Sequence, residues 1–275
     1  MMPCLAIDVG NTSTTLGVVS DAGVLASGHV QGGIDDLDAV MACIRRMQRK
    51  AAFAGSVLGS VVPSVNRRWE KLLHQLTGSE PVILTHTTRL AVGIDYPKPA
   101  SIGADRLANA CGAVTQYGAP VLVADFGTAL TFDVVSADSK YIGGVIAPGL
   151  PLMTDYLAER TELLPLISPK GRCSAIGRST EGAMRIGARI GYRGIVREIT
   201  QYLAASMDQQ PTLCATGGFA GWVLDGSGLD YVIDPDLTLK GLGVVYRLQQ
   251  QHATTKKATI ASKQQLETDI QMRLP

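Results

Sequence analysis

A chain of 275 residues, 46% hydrophobic and 18% charged, is long enough for two ordinary domains and is not a disordered polypeptide. Its net charge of +1 and its 5% aromatic content give no surplus of basic or stacking side chains, which argues against nucleic-acid binding. No apolar run approaches the ~18 residues of a membrane span, and the N-terminus lacks the features of a secretory signal peptide.

Five cysteines are scattered through the chain without the C-x-x-C spacing of metal or redox sites. Their odd number and mostly apolar surroundings predict reduced, buried thiols in a cytoplasmic protein. Only Cys173 lies in a polar predicted loop; the others are Cys4, Cys43, Cys111 and Cys214.

In chain order, the first third of the sequence predicts an α/β unit. Its sheet is mixed, because a β-hairpin and not a βαβ unit opens it. Asp35 and Asp36 mark the start of its first helix, and Ser64 is predicted to cap the second. The predicted strands cover residues 4–7, 15–20, 24–30, 57–62 and 81–84.

From Val121 the sequence repeats the strand–turn–strand opening of the first third. An irregular stretch at 87–103 and a short helix at 105–114 precede it. The later predictions are a helix from about Leu150, a polar loop to Arg178, a long helical stretch at 180–207, a strand at 212–216, a helix from about Thr238 and a polar tail from His252.

The stretch 180–207 is unusual because it carries several glycines. Each glycine costs a helix interior roughly 1 kcal/mol relative to alanine. Two explanations stay open: another backbone, such as that of a partner subunit, approaches closely, or the helix is broken or kinked. The glycines are Gly182, Gly187, Gly191 and Gly194.

An internal repeat is the most informative feature of the chain. The string DVGNT at residues 8–12 returns, shortened by one residue, as DFGT at residues 125–128, each after a short apolar run. A strand ending in Asp-x-Gly sets a carboxylate, which can hold a cation, beside backbone N–H groups that can hold phosphate oxygens. Two such units are predicted to face each other across a cleft and clamp a nucleoside triphosphate. We predict lobes at 1–118 and 119–251 and a tail at 252–275.

Other phosphate and catalytic motifs are absent from the sequence. There is no G-x-x-x-x-G-K-[ST] and no G-x-G-x-x-G after a strand, and no Ser/His/Asp set is evident. The run from Asn11 to Thr15 either donates hydrogen bonds to phosphate or forms a Ser/Thr-rich hairpin turn. No metal spacing is evident among the four histidines, His29, His74, His86 and His252.

The segment around Asp105 is the best candidate for catalysis. Phosphoryl transfer to an alcohol needs a carboxylate that accepts the hydroxyl proton, together with positioning and charge neutralisation. Asp105 follows Gly103-Ala104 at a predicted helix start, and Arg106 could grip an anionic part of the acceptor in a fork. The alternative is that Asp105 only caps the helix and Arg106 is solvated.

Six short motifs occur in a fixed order over residues 4 to about 250. They are DVGNTS at 8–13, Tyr96-Pro97 followed by GADR at 103–106, DFGTALT at 125–131, GGVIAPG at 143–149, TGG at 216–218 and DLTLKGL at 236–242. In this combination the chain resembles the type III pantothenate kinases, the bacterial enzymes that open coenzyme A biosynthesis.

The resemblance implies an α/β fold of the actin-like ATPase (ribonuclease H-like) kind, with two duplicated lobes, a mixed sheet in each and ATP in the cleft between them. It implies phosphorylation of pantothenate to 4'-phosphopantothenate with ATP and Mg²⁺, and a homodimer with the acceptor site near the interface. ATP would contact Asp8, Val9, Gly10, Asn11, Thr12, Ser13, Thr14, Thr15 and Thr128.

The same resemblance assigns the remaining roles. Asp105 would be the base, and Asp125 would hold a monovalent cation, potassium or ammonium. Pantothenate would contact Tyr96, Gly103, Ala104, Asp105, Arg106 and Thr180.

Two other functions remain as alternatives. One is a different kinase of the same fold, acting on a sugar or on acetate, which would carry a different acceptor segment. The other is a binding or regulatory protein without activity. Such a protein is expected to have lost Asp105, Arg106 or Asp125, and this chain keeps all three.

Overall fold

The computed structural model describes residues 2–171 and 174–253. The first third forms a five-stranded sheet in the order β3-β2-β1-β4-β5, with short 3-10 turns at Gly33–Asp35 and Pro99–Ser101. Its elements are β1 (Cys4–Val9), β2 (Ser13–Ser20), β3 (Gly23–Gln31), α1 (Leu37–Gln48), β4 (Gly55–Ser60), α2 (Pro63–Thr77) and β5 (Val82–Ile83).

The remainder forms a six-stranded sheet in the order β11-β10-β7-β8-β9-β6. The elements are β6 (Gly93–Ile94), α3 (Ala104–Tyr117), β7 (Val121–Phe126), β8 (Ala129–Val135), β9 (Lys140–Pro148), α4 (Leu150–Arg160), α5 (Thr180–Ile186), a π-helical segment (Gly187–Gly191), α6 (Tyr192–Ala205), β10 (Thr212–Thr216), α7 (Ala220–Leu224), β11 (Val232–Ile233) and α8 (237–253).

The two sheets confirm the internal repeat. Strands β3-β2-β1-β4-β5 and β9-β8-β7-β10-β11 have the same order and directions, antiparallel in each hairpin and parallel beyond it. Asp8 pairs with Thr15, and Asp125 pairs with Thr131, so the second turn is one residue shorter, as predicted. The fold is therefore α/β with two related lobes, each built on a mixed sheet.

Helix starts show how local sequence sets the element boundaries. Asp36 is the N-cap of α1 and accepts the Ala39 N–H at 2.9 Å, as predicted. The predicted cap Ser64 is wrong, because α2 begins one residue earlier, at Pro63, after Val62. Proline at the first helical position needs no N–H partner and has its φ angle already set, so the helix begins without a side-chain cap.

Two helices lie between the sheets and connect the lobes. Helix α3 packs on β7 and β8 of the second sheet, whereas α8, the last helix in the chain, packs on the first sheet through Leu239 and Leu242. The two helices touch where Gly112 faces Gly241, with no side chain between the backbones. Since α8 belongs to the second predicted lobe but packs on the first sheet, the lobe boundary at 118/119 stays a prediction. The tail at 252–275 also stays a prediction, because residues 254–275 lie outside the described part of the chain.

We predict that Gly241→Ala destabilises the protein by about 1–3 kcal/mol or more. A Cβ at Gly241 would overlap the Ala108 carbonyl, so α3 and α8 would have to separate. Urea unfolding measures the loss. Gly221→Ala is the matched control, because Gly221 is exposed in α7 with no atom within 4 Å of a Cβ. Equal stability of both variants would contradict the close packing.

The glycine-bearing stretch is continuous and contains a π-helical turn. Residues 180–205 run as α5, the π-helical segment and α6, so the helix widens at Gly187–Gly191 and is not broken. Apart from the adjacent residues and the backbone of their own helical turns, no described atom lies within 4 Å of a Cβ placed on Gly187, Gly191 or Gly194. This chain itself therefore supplies no backbone that approaches those three glycines closely.

The cysteine prediction is confirmed for Cys4, Cys43, Cys111 and Cys214, which are free and buried. Cys173 lies outside the described residues. No helix in the described ranges has the length and apolar character that crossing a membrane requires.

Candidate active site

The ends of β1 and β7, the first strands of the two repeated units, meet at one cleft. Its volume is ≈ 420 Å³, and both aspartates of the repeat line it. The Thr12 and Thr128 hydroxyls lie 3.0 Å apart, so the two Asp-x-Gly turns touch across the cleft. The predicted residues that line it are Asp8, Gly10, Asn11, Ser13, Thr15, Asp105, Asp125 and Thr128.

The predicted run of donors at residues 11–15 is divided between cleft and core. Ser13 and Thr15 line the cleft, whereas Thr14 is 1% exposed and its hydroxyl has no hydrogen-bond partner among the described residues. Val9, 3% exposed, also packs in the core. Side chains of a strand alternate between its faces, so Thr14 and Val9 lie away from the space where a ligand fits.

Three carboxylates of the cleft lie close enough to affect one another. Burial, then Asp105 and Asp125, raise the pKa of Asp8 to about 8. Burial also raises the pKa of Asp125 to about 6, against the lowering effect of Asn109. The Asp105 pKa is raised as well, by burial, although the Arg106 backbone and charge oppose this. These three carboxylates are partly buried and disfavour one another's ionised forms, and the positive charge of a cation bound in the cleft would favour those forms.

Asn109 and Thr238 are site residues that the sequence reasoning missed. The Asn109 amide donates to Asp125 Oδ2 at 3.0 Å and accepts the Thr238 hydroxyl at 2.7 Å. Asn109 follows Asp105 by one turn of α3, so one helix face reaches both carboxylates. That i, i+4 spacing was a usable signal, whereas Thr238 on α8 was not reachable by spacing.

The TGG motif also lines the cleft, as Thr216, Gly217 and Gly218 after β10. Gly217 has φ +90°, and a Cβ there would lie 2.6 Å from the Phe126 backbone and 2.7 Å from Asp125 Oδ1. Only glycine fits this conformation and this contact. The remaining lining residues without a predicted role are His29, Val61, Gly127, Ala129, Thr131, Pro235 and Leu239.

Asp105 is not the cap of its helix. Gly103 is the N-cap of α3, and Asp105 Oδ1 accepts the Arg106 backbone N–H at 2.8 Å. The carboxylate lines the cleft, where a reacting hydroxyl can approach it. The alternative that Asp105 caps the helix is therefore wrong, because Gly103 occupies the N-cap position.

Arg106 is not solvated, contrary to the alternative reading of this segment. Its side chain is 13% exposed, and Nε donates to Asp133 Oδ1 at 2.7 Å. Nη2 donates to the Phe132 carbonyl at 3.0 Å, and the guanidinium lies over the Tyr141 ring, 5.8 Å from its centroid. Tyr96 meets the same Tyr141 ring edge to face at 6.1 Å.

Tyr96, Gly103, Ala104 and Arg106 are not among the described residues that line the cleft, and neither is Thr180. Thr180 is exposed at the first residue of α5. Gly103 and Ala104 flank Asp105 at the start of α3, beside the cleft.

Comparison with known proteins supplies the identification. The family profile described as "Type III pantothenate kinase" matches residues 4–202. A protein from Akkermansia muciniphila with that name is 43% identical over 249 residues, 88% of this chain and 98% of the relative. The chain belongs to the type III pantothenate kinase family.

Solved structures show that this member of the pantothenate kinase family has the actin-like ATPase fold. The activator of 2-hydroxyisocaproyl-CoA dehydratase from Clostridium difficile, with bound ADPNP, matches with TM-score 0.56 and 10% identity over 93% of this chain and 98% of that one. A ROK family glucokinase from Streptomyces griseus, with glucose and AMPPNP, matches with TM-score 0.52 and 16% identity over 90% and 99%. At these identities the match shows the fold.

The described residues of this family member hold no separate metal centre. No group of three His, Cys, Asp or Glu side chains within 2–171 and 174–253 is arranged to hold an ion. A cation at Asp125 would therefore complete its ligand shell with backbone oxygens, water or nucleotide phosphates.

Proposed function

We propose that this chain transfers the γ-phosphoryl group of ATP to the hydroxyl of pantothenate, forming 4'-phosphopantothenate and ADP, with Asp105 as the general base. The observation that carries the proposal is the position of Asp105. Its carboxylate opens into the same cleft as the two Asp-x-Gly turns, where no other predicted site residue can accept a proton except the two aspartates assigned to phosphate and cation. Coenzyme A precursors are then the expected substrate class, and the cytoplasm the expected location.

The nucleotide is proposed to lie between the lobes. The Gly10 N–H donates to the Ser13 carbonyl at 3.0 Å and is not free for a ligand. Phosphate oxygens would therefore accept hydrogen bonds from the neighbouring N–H groups and from the Asn11, Ser13 and Thr15 side chains. Thr128 would contact the phosphates from the second lobe, next to Thr12. Two structural neighbours were solved with ATP analogues, which supports nucleotide in this kind of cleft.

The base acts on the acceptor hydroxyl. As the hydroxyl oxygen forms its bond to the γ-phosphorus, its proton passes to the Asp105 carboxylate and the β–γ bridging oxygen leaves with ADP. Burial raises the Asp105 pKa, and a base whose pKa lies nearer to working pH accepts a proton more readily. The carboxylate must be ionised to act, so low pH should abolish turnover.

Asp125 is proposed to hold potassium or ammonium, and Asp8 to lie beside Mg²⁺–ATP. The carboxylates of Asp8 and Asp125 face the cleft, where cations can reach them. The Asn109 amide donates to Asp125 Oδ2, which leaves Oδ1 toward Gly217. When bound, the ions neutralise phosphate charge, as Mg²⁺ does in other phosphoryl transfers. The protein keeps Asp125 in one orientation through Asn109, itself fixed by Thr238.

The acceptor is proposed to lie against the segment Tyr96 to Arg106. The backbone of Gly103 and Ala104 leads into Asp105, which Arg106 directly follows in α3. The Tyr96 ring and the Arg106 guanidinium both contact the Tyr141 ring, and together they form the proposed acceptor wall. Thr180 completes the predicted set from α5. The Arg106 guanidinium suits the carboxylate of pantothenate, a group that a neutral sugar acceptor lacks.

An acceptor screen tests the proposal. With ATP, Mg²⁺ and potassium or ammonium, the purified protein should consume ATP in the presence of pantothenate and form its phosphate, and should leave glucose and acetate unchanged. Product is measured by mass spectrometry and ADP by a coupled assay. Turnover of a sugar alone, or of no acceptor in either cation, would overturn the assignment. Specific binding to DNA in a mobility-shift assay would favour a regulatory role.

We further propose that two copies pair through the glycine-bearing helix. The π-helical segment and α4 display exposed apolar side chains near the uncovered glycines, and patches of this kind mark interaction surfaces. The exposed apolar residues of these elements are Leu152, Tyr156, Leu157 and Ile190.

Gly191→Glu should convert the dimer to a monomer, because a charged side chain would replace open space at the pairing surface. Sedimentation velocity measures the change. Gly221→Glu, on exposed α7, is the matched control and should stay dimeric. A wild-type protein that is monomeric at micromolar concentration, or a Gly191→Glu dimer of unchanged stability, would contradict this interface.

A further inference from the structure

A fully buried carboxylate lies behind the acceptor wall and has no role so far. Asp133, on β8, is 0% exposed and accepts two hydrogen bonds on Oδ1, from Arg106 Nε at 2.7 Å and from the Tyr141 hydroxyl at 3.0 Å. Its Oδ2 has no hydrogen-bond partner among the described residues. A buried, incompletely satisfied carboxylate is costly to the fold, so its presence calls for a reason other than stability.

Arg106 is fixed on several sides by this arrangement. Besides Asp133, the Phe132 carbonyl accepts from Nη2 at 3.0 Å, and the Tyr141 ring lies under the guanidinium. Gly144 leaves the necessary space, since a Cβ there would lie 2.8 Å from Arg106 Nη2 and overlap the Phe132 carbonyl. The two bonds use two of the five guanidinium N–H groups. The others keep a fixed direction instead of moving with a flexible side chain.

Tyr96 belongs to the same unit. Its ring meets the Tyr141 ring at 71° and packs where Gly143, at φ +132°, has no side chain; a Cβ would lie 3.6 Å from the Tyr96 ring. Gly144 is thus required for the position of Arg106, whereas Gly143 is required by its own backbone conformation and lies in contact distance of Tyr96. Tyr141 contacts both side chains and also donates to Asp133.

We propose that Asp133, supported by Tyr141, is a positioning residue for the acceptor: it holds Arg106 so that the free guanidinium N–H groups face the acceptor carboxylate while the hydroxyl lies at Asp105. This inference rests on the proposed function. Arg106 directly follows Asp105 in α3, so the direction of its side chain sets how a carboxylate-bearing acceptor lies relative to the base. Asp133 and Tyr141 act through Arg106 and do not touch the acceptor.

The test compares pantothenate with pantothenol, in which a primary alcohol replaces the carboxylate. A hydrogen-bonded charge pair contributes enough that the wild type should prefer pantothenate in kcat/KM by about tenfold or more. In Asp133→Asn the preference should fall to near one, mainly through a higher KM for pantothenate, with KM for ATP unchanged. Tyr141→Phe keeps the pair between Arg106 and Asp133 and should lose part of the preference for pantothenate. This variant therefore tests the inference if Asp133→Asn folds poorly.

Tyr117→Phe is the matched control, because it removes a hydroxyl that donates to a different carboxylate, Asp234, at the same 3.0 Å. Tyr117 ends α3, twelve residues after Asp105, which is about 18 Å along the helix. The Tyr117→Phe variant should prefer pantothenate over pantothenol by the same factor as the wild type.

Each outcome separates this inference from the proposed function. If both acceptors lose turnover equally in Asp133→Asn and Tyr141→Phe, the pair is only structural and the inference fails. If Asp133→Asn increases the preference for pantothenate over pantothenol, Asp133 only weakens the positive charge of Arg106, and the positioning role is also overturned. If the wild type phosphorylates neither acceptor, the proposed function itself is wrong.

Discussion

Asp105→Asn should lower kcat for pantothenate by about 10²–10⁴-fold, the usual contribution of a positioned base. Asparagine has the same shape but cannot take the hydroxyl proton, so binding should survive while the chemical step is lost. KM for ATP should stay within about twofold, because Asp105 lies in the first turn of α3, outside both Asp-x-Gly turns. Steady-state kinetics measure kcat, and calorimetry measures ATP binding.

The matched control for this prediction is Asp208→Asn, which makes the same chemical change at an exposed turn. It should leave kcat and both KM values unchanged. If Asp105→Asn kept the wild-type rate, the base assignment would be wrong. Loss of ATP affinity together with rate would instead place Asp105 in the nucleotide site.

Asp8→Asn should stabilise the cation-free protein at alkaline pH while abolishing its activity. Burial, with Asp105 and Asp125 nearby, raises the Asp8 pKa from 3.8 to about 8. An ionised Asp8 is thus unfavourable in the fold unless a cation or Mg²⁺–ATP is bound. Asparagine removes this penalty, and it removes the charge that the bound ligand requires.

The way in which folding stability changes with pH follows from proton linkage. Between pH 3.8 and about 8, folded Asp8 holds a proton that the unfolded chain has lost, so wild-type stability falls as pH rises through this window. One proton corresponds to about 1.4 kcal/mol per pH unit. The stability gap between Asp8→Asn and wild type should therefore widen by about 3–5 kcal/mol from pH 4.5 to pH 8, on the order of 10 °C in Tm.

Thermal unfolding in a large-cation buffer, free of potassium, ammonium and Mg²⁺, measures this gap. Asp208→Asn is again the control, and its gap to wild type should hardly change with pH. Added Mg²⁺–ATP should stabilise wild type but not Asp8→Asn. A gap that is constant from pH 4.5 to pH 8 would show that Asp8 is ionised in the empty fold, contrary to the linkage.

The repeat explains why so much of this fold could be predicted from the sequence. A carboxylate at the end of a buried strand, followed by glycine and a hairpin, is a local pattern, and it occurs twice with one residue dropped. Once Asp8 and Asp125 are aligned, two equivalent sheets and a cleft between their strand ends follow. Asp105 was also predictable, because a glycine and a helix start expose the side chain that follows.

What could not be predicted depends on contacts between distant segments. Asp133 reads as a polar residue in a strand, and only the sheet pairing shows that it faces Arg106 and Tyr141. The i, i+4 spacing relates Asn109 to Asp105 on α3, but only the fold shows that β7 brings Asp125 next to it. The reversal of α8 onto the first sheet depends on Gly112 and Gly241 meeting, and neither glycine has a local reason to be there.

The central claim is that Asp105 takes the proton of the acceptor hydroxyl, and a crystal structure with pantothenate and an unreactive ATP analogue tests it most directly. The measured quantity is the distance from the pantothenate hydroxyl oxygen to the nearer Asp105 carboxylate oxygen. We predict hydrogen-bond reach, about 2.6–3.2 Å, with the γ-phosphorus on the far side of the hydroxyl. A hydroxyl beyond reach of Asp105, and within reach of Asp8 or Asp125 instead, would contradict the account.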